Sequence, residues 1–294
     1  MTQVSTAASS FEDVRQSWNA ASVHTVPLSK SLAIRVYADT RPHNWKIAEL
    51  QKGLILVSNG SERVGEGAGF GLPVLVCSNE TYFSGTSSVH FSRSEGQWSI
   101  RKEFLMDRVA RNNFRNVNLQ NRGARSLISH LSRLYREQPQ FRFLVLKKLT
   151  RKVHIGTSFV ETAPSARVTV TYKIAERKIQ VHADFCNVKT DRLEKIFVLN
   201  EQGSMFFRRY LDSEGVELAD AQIGAWDEVR SEWASIYSPT DRFGFRLWKN
   251  GDAILRRGRE YVEGSLDWTG LDYEISSGKT SFDYTLEVLG SERK

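Results

Sequence analysis

Two cysteines, Cys77 and Cys186, cannot make a disulfide framework in a chain of 294 residues, and no Cys-x-x-Cys is present for zinc or redox chemistry. The six histidines form no HExxH-type ligand pattern, so no catalytic metal is expected. A G-x-S-x-G elbow is missing, and neither thiol stands beside a histidine, which leaves no activated nucleophile in view. Apolar runs are short: LILV at 54–57 and LPVLVC at 72–77 are strand-sized, far below a membrane span. The opening MTQVSTAASS has neither the basic nor the apolar region of a secretory signal. Together these absences predict a cytoplasmic protein with reduced thiols, no cofactor and no membrane partner.

Charge, by contrast, is plentiful and unevenly placed. Residues 1–100 balance eight bases against eight acids, whereas 101–152 hold fourteen bases and three acids. Residues 184–294 reverse the sign, with fifteen bases and twenty-one acids. The basic block, with interleaved phenylalanines and a tyrosine, can attract a polyanion, nucleic acid or acidic polysaccharide. Arg125, Arg133, Arg136, Lys147 and Lys148 are its candidate contacts. No RRM, KH or helix-turn-helix signature accompanies it, and the acidic C-terminal third offers internal partners. Nucleic acid is therefore the lesser reading, and internal pairing the plainest fate of the block.

Period-two patterning dominates the chain. SLAIRVYAD (31–39), GLILVSN (53–59), LPVLVCS (72–78), SVHFSRS (88–94) and QWSIRKEFL (97–105) read as strands, and from 141 onward ten more follow. NEQGS (200–204), KNGD (249–252) and SSGK (276–279) carry hairpin-turn chemistry. Two helices are expected: a short one at SSFEDVRQSW and an amphipathic one at 122–138, where Leu127, Leu131 and Leu134 recur at helical spacing before Pro139. The prediction is an all-β, predominantly antiparallel protein: one large domain over 1–294, built as a two-sheet sandwich with a polar tail at 1–8. This long run of strands after a short helix resembles, in outline, the β-supersandwich of galactose mutarotases and polysaccharide lyases; no diagnostic motif of those families is matched. The resemblance implies a sugar bound on the concave face of a sheet, with His, Glu, Arg and Tyr as working residues.

The stretch SNGSERVGEGAGFGLP (58–73) spaces Gly65, Gly67, Gly69 and Gly71 on alternate positions. It fits neither a dinucleotide fingerprint nor a Walker loop. Two readings stay open: a bulged, closely packed strand, or a bare backbone face on which a ligand lies near Arg63 and Glu66. In KIQVHADFCN, Gln180, His182 and Asp184 share one strand face ~7 Å apart, within reach of one substrate, although an ordinary solvated face looks the same. RRGREYVEGSLDWTGLDYE (256–274) gathers arginines, carboxylates and Trp268, which suits a sugar site and equally a salt-bridged hairpin. The functional expectation is a carbohydrate-binding or carbohydrate-modifying protein that moves a proton, as an epimerase, mutarotase or lyase does. His182 and Glu263 are its acid–base candidates, Arg63, Glu66 and Asp184 its polar contacts, and Tyr82 and Trp268 its stacking faces. The alternatives are a polyanion-binding module and a protein-interaction scaffold, and the oligomeric state is left open.

Overall fold

The computed structural model describes residues 23–37, 51–65, 67–77, 80–94, 96–114, 155–162, 166–188, 192–262 and 266–290. Both expected helices lie outside these residues. Within them the chain is antiparallel β throughout, as the period-two pattern requires, with one short 3-10 turn at Asp220–Ile223.

A four-stranded sheet joins β1 (Val23–Pro27), β2 (Leu32–Tyr37), β3 (Ile55–Ser58) and β4 (Ser61–Glu62) in chain order. All other strands form a single sheet of fifteen. Its hinge is a pair of long strands, β6 (Glu80–Ser94) and β7 (Gln97–Phe114), of which the sequence reading caught only a part. On the β7 side run β9 (Arg167–Ala175), β10 (Lys178–Asp184), β19 (Ser281–Gly290), β16 (Phe243–Trp248), β15 (Trp233–Ser238), β12 (Arg209–Asp212) and β13 (Glu217–Ala219). On the β6 side run β5 (Gly69–Cys77), β11 (Leu193–Gln202), β18 (Leu266–Ser276), β17 (Ala253–Val262) and β14 (Ala225–Glu228). The remaining strand, β8 (Ile155–Glu161), pairs with the far end of β7.

These two arms face each other. The Tyr172 hydroxyl of β9 donates to the carbonyls of Phe70 and Gly71 on β5, at 3.1 and 3.0 Å. Tyr284 of β19 donates to Asn200 Oδ1 of β11 (2.7 Å), and Tyr273 of β18 to the Trp248 carbonyl of β16 (2.6 Å). Phe70 packs edge-on against Phe245 of β16, with ring centroids 5.0 Å apart. Alternation explains this core: on β10, Ile179, Val181 and Ala183 are buried while Lys178, Gln180 and His182 are exposed. The facing layers are thus two arms of one fifteen-stranded sheet, with the four-stranded sheet separate from it.

The turn sequences need a correction. NEQGS, KNGD and SSGK do not close hairpins, since β11 and β12, β16 and β17, and β18 and β19 are not hydrogen-bonded pairs. Each of these connections carries the chain across the core from one arm to the other. Asn250 illustrates the chemistry: its Oδ1 accepts from Asp252 N–H (2.9 Å), and its Nδ2 donates to the Asp283 carbonyl (2.8 Å). The tight turn was read correctly, and its partner strand was not, because turn chemistry fixes local reversal but not which strand lies alongside.

The glycine stretch is resolved by Gly71. A ladder irregularity between β5 and β11 leaves it as an extra residue at φ 76°, and its N–H donates to Asn200 Oδ1 at 3.2 Å. A Cβ there would sit 2.7 Å from the Tyr172 ring. From Gly67 to Gly71 every residue is buried, whereas Gly65 is exposed. The stretch is a closely packed bulge.

Candidate functional site

The site grows from the register of β11, β18 and β17. Leu271, Tyr273, Leu255 and Val198 are buried in the core, so their neighbours along each strand point to the other face of the sheet. On that face Glu201, Gly270 and Gly258 form one buried cross-strand row, and Asp272, also buried, and half-buried Arg256 lie in the next. Beyond them Glu260 faces Trp268.

The two glycines shape this surface. At Gly270 a Cβ would lie 2.9 Å from Glu201 Cγ, and at Gly258 it would lie 2.5 Å from the Trp226 indole. Their bare backbone is the seat on which Glu201 and Trp226 rest. Trp226 is brought there by a bulge in β14, where it adopts φ 68°, a costly conformation for an aromatic residue. Arg256 secures the bulge: its Nη1 donates to the Trp226 carbonyl (3.2 Å) while Nε donates to Glu274 (2.6 Å). Lys195 meets the other oxygen of Glu274 at 2.6 Å. Burial works against the Glu274 charge, but these two cations hold its pKa below the usual value.

Glu201 and Asp272 lack such cations at salt-bridge distance and are both buried, at 9% and 3% exposure. The Ala68 N–H donates to Glu201 Oε2 (3.1 Å), and the Asn200 N–H donates to Asp272 Oδ1 (2.7 Å). Burial pushes the Glu201 pKa up to about 7, helped by the charge of Glu260 and opposed by the Ala68 N–H and Lys52. Asp272 is raised well above the carboxylate range by burial and by its neighbour Glu201. Both shifts favour the protonated forms, and the two neighbouring groups titrate as a pair.

Arg63 and Trp268 lie at this end of the arm. The Arg63 carbonyl accepts from Gly203 N–H (2.6 Å), and its guanidinium stacks over Phe206 at 4.5 Å. Trp268 is half-buried, opposite Glu260. Tyr82 sits on β6, its hydroxyl donating to Glu80 (3.2 Å). His182 and Asp184 are elsewhere, on β10 of the other arm. His182 Nδ1 lies 2.8 Å from Asp283 Oδ1 with both side chains well exposed, and Asp184 accepts from Cys186 N–H (2.8 Å). Glu66 and Glu263 fall outside the described residues, as do Arg125, Arg133, Arg136, Lys147 and Lys148. Among the described bases of the basic block, Arg101 pairs with Glu103 (2.9 Å) and Arg108 with Glu161 (2.8 Å). Lys102 is fully buried, donating to the carbonyls of Tyr37 (2.8 Å) and Lys52 (2.5 Å).

Sequence reasoning placed Trp268, Arg256, Glu260, Asp272 and Glu274 in one candidate segment but passed over Glu201 and Trp226. The signal for both is the pair Gly258 and Gly270, since an isolated glycine inside a strand marks close approach by another group.

No family model and no curated protein matches this chain. Solved structures resemble it in outline. An α-N-acetylgalactosaminidase from Bifidobacterium bifidum aligns at TM-score 0.47 and 9% identity, over 91% of this chain and 36% of that one. A 4-α-glucanotransferase from Thermococcus litoralis aligns at 0.42 and 7%, over 93% and 38%. A galactose mutarotase-related enzyme from Lactobacillus acidophilus aligns at 0.37 and 10%, over 92% and 98%. This chain thus spans little more than a third of the first two. The likeness is one of outline, and the functional reading rests on the residues instead.

Proposed function

We propose that this protein binds a sugar on the Glu201-bearing face of β11, β18 and β17 and moves a proton on it, with Glu201 as the group that takes and returns the proton. The observation that carries the reading is two carboxyl groups, Glu201 and Asp272, buried close together on one face of the sheet and each held by a backbone N–H; burial raises both, Glu201 to about 7. A group poised there has both protonation states populated at neutral pH, the condition for efficient general acid–base catalysis. Trp226 and Trp268 supply ring faces for stacking, and Glu260 supplies an acceptor for hydroxyls. Four carboxyl groups on one face, of which Glu274 is paired with Lys195 and Arg256, suit a neutral, hydroxyl-rich sugar better than an acidic one.

In the simplest reaction, Glu201 takes the proton of the anomeric hydroxyl while the C1–O5 bond breaks and its electron pair moves to the ring oxygen. Asp272, in its neutral form, protonates O5. Rotation about C1–C2 and the reverse steps close the ring as the other anomer and restore both groups. The test is exchange NMR on a panel of aldoses, following α/β interconversion with and without protein. Acceleration by the wild type and a loss of about 100-fold or more in Glu201→Gln, with the circular dichroism spectrum unchanged, is the expected result. A wild type inert toward every aldose, or a Glu201→Gln variant as active as wild type, overturns the proposal.

A further inference from the structure

On the opposite, core-facing side of the same three strands, Gln202, Thr269 and Arg259 stand directly opposite one another in a single row. Gln202 and Thr269 are fully buried and the Arg259 side chain is 9% exposed. Each carries a donor with no hydrogen-bond partner: Gln202 Nε2, Thr269 Oγ1 and Arg259 Nε. Buried unpaired polar groups are rare in folded proteins and call for a reason. Three on adjacent strands, on one face and in one row, bring their side chains within about 5 Å steps of each other.

The rest of each side chain is fixed, which aims the free donor. Gln202 Oε1 accepts the Leu56 N–H (3.4 Å), so Nε2 is the end left over. Arg259 Nη2 donates to the Ser204 carbonyl (3.1 Å) and stands 3.6 Å from Asp220. Asp220 is itself engaged by Arg208 through bonds of 2.7 and 3.2 Å, so it offsets the Arg259 charge only in part. The other nearby acid, Asp267, accepts at Oδ1 from the Ser204 hydroxyl (2.7 Å) and the Met205 N–H (2.8 Å), and it too offsets the Arg259 charge at longer range. A fourth unpaired donor, Arg63 Nε, lies against the same turn, where Arg63 stacks on Phe206.

We infer that this row is a binding site for a small oxyanion, a carboxylate or a phosphate group. A water accepts at most two hydrogen bonds and carries no charge, so it would leave one of the three donors unmatched and the arginine charge only partly offset. An oxyanion has several lone pairs and a negative charge, which match three donors and a cation. Entry is from the side of Met205 and Tyr261, exposed at 54% and 37%, with Tyr261 lying 5.4 Å from the Arg259 guanidinium carbon. This site stands apart from the acid–base reading: it is on the other face, and its test measures binding rather than turnover.

The experiment is a thermal-shift titration of the full chain with acetate, glucuronate or inorganic phosphate, each against chloride at matched ionic strength, confirmed by calorimetry. An anion that binds only the native state raises Tm in proportion to its occupancy. The expected result is a rise with at least one oxyanion in wild type, weakened tenfold or more in apparent Kd by Arg259→Lys and by Thr269→Val. The exposed Lys173→Gln, on β9 of the other arm, removes one charge elsewhere and should leave Kd within twofold. Without anion, Thr269→Val should melt at or above the wild-type temperature, because it removes a buried hydroxyl that has no partner. A response to acetate and glucuronate alone assigns a carboxylate ligand, and a response to phosphate alone assigns a phosphate. No rise beyond chloride, or an equal rise in wild type, Arg259→Lys and Thr269→Val, overturns the inference.

Discussion

At the scale of single residues, much of this molecule turns on positions where a side chain is absent. Gly71 admits the Tyr172 ring and adopts a left-handed backbone that an alanine would resist. Gly71→Ala should therefore cost about 2–3 kcal/mol in urea unfolding, combining strain and overpacking. Gly60 makes a control: it also has positive φ but nothing within 4 Å of a Cβ, so its substitution should cost less, about 1 kcal/mol. Gly258 works differently, since it makes room for Trp226 rather than for a turn. Gly258→Ala should push the indole off its seat and weaken the proposed sugar binding more than it weakens the fold, which parallel titration and melting experiments separate.

At the scale of elements, the strands are legible and their partners are not. Alternation in KIQVHAD or RVTVTYKIA follows from one buried and one exposed face, and both strands appear as written. A tyrosine hydroxyl reaching across the core leaves no trace in such a pattern. Tyr284→Phe deletes the bond to Asn200 Oδ1, and Tyr172→Phe deletes the bonds to Phe70 and Gly71. Each should lower stability by about 1–2 kcal/mol, and the Phe70 carbonyl keeps the Leu54 N–H (2.8 Å) when the Tyr172 hydroxyl is removed. Since Asn200 Oδ1 also holds the Gly71 N–H, the two losses should fail to add in a double-mutant cycle.

At the scale of the whole molecule, buried ionisable groups on two sides of the fold give stability an uncommon pH dependence. Glu201 keeps its proton up to about 7 in the folded state, while the unfolded chain releases it near 4.5. Between those values the folded state binds more protons, so stability falls as pH rises, at up to about 1 kcal/mol per unit for one group. Asp272, raised in the same direction, deepens this limb. Lys102 is opposite: burial lowers its pKa to about 7, whereas the unfolded chain keeps the proton to 10.5. From 7 to 10.5 the unfolded state binds more protons, so this contribution to stability rises. Urea midpoints should fall from pH 4.5 to about 7, and above that the rising contribution of Lys102 should oppose the fall from Asp272. Glu201→Gln should flatten the falling limb and Lys102→Met should remove the rising contribution. A midpoint that does not change with pH would show that neither group is buried as described.

The amino-acid sequence by itself determined that this chain makes strands, that their pairing is antiparallel, and which residues of each strand face the core. Those properties are local, set by side-chain alternation and by the residues that allow a turn. It also singled out 256–274 as rich in carboxylates, arginines and tryptophan. Only the tertiary structure decided that the turns after β11, β16 and β18 cross between arms, because pairing depends on strands distant in the chain. That same long-range pairing sets Glu201 over Gly270, brings Trp226 onto Gly258, and lines up Gln202, Thr269 and Arg259 in one row. Burial then changes what these side chains are: a glutamate written as an ordinary acid becomes a group that titrates near neutrality, since desolvation belongs to the folded surroundings and not to the residue.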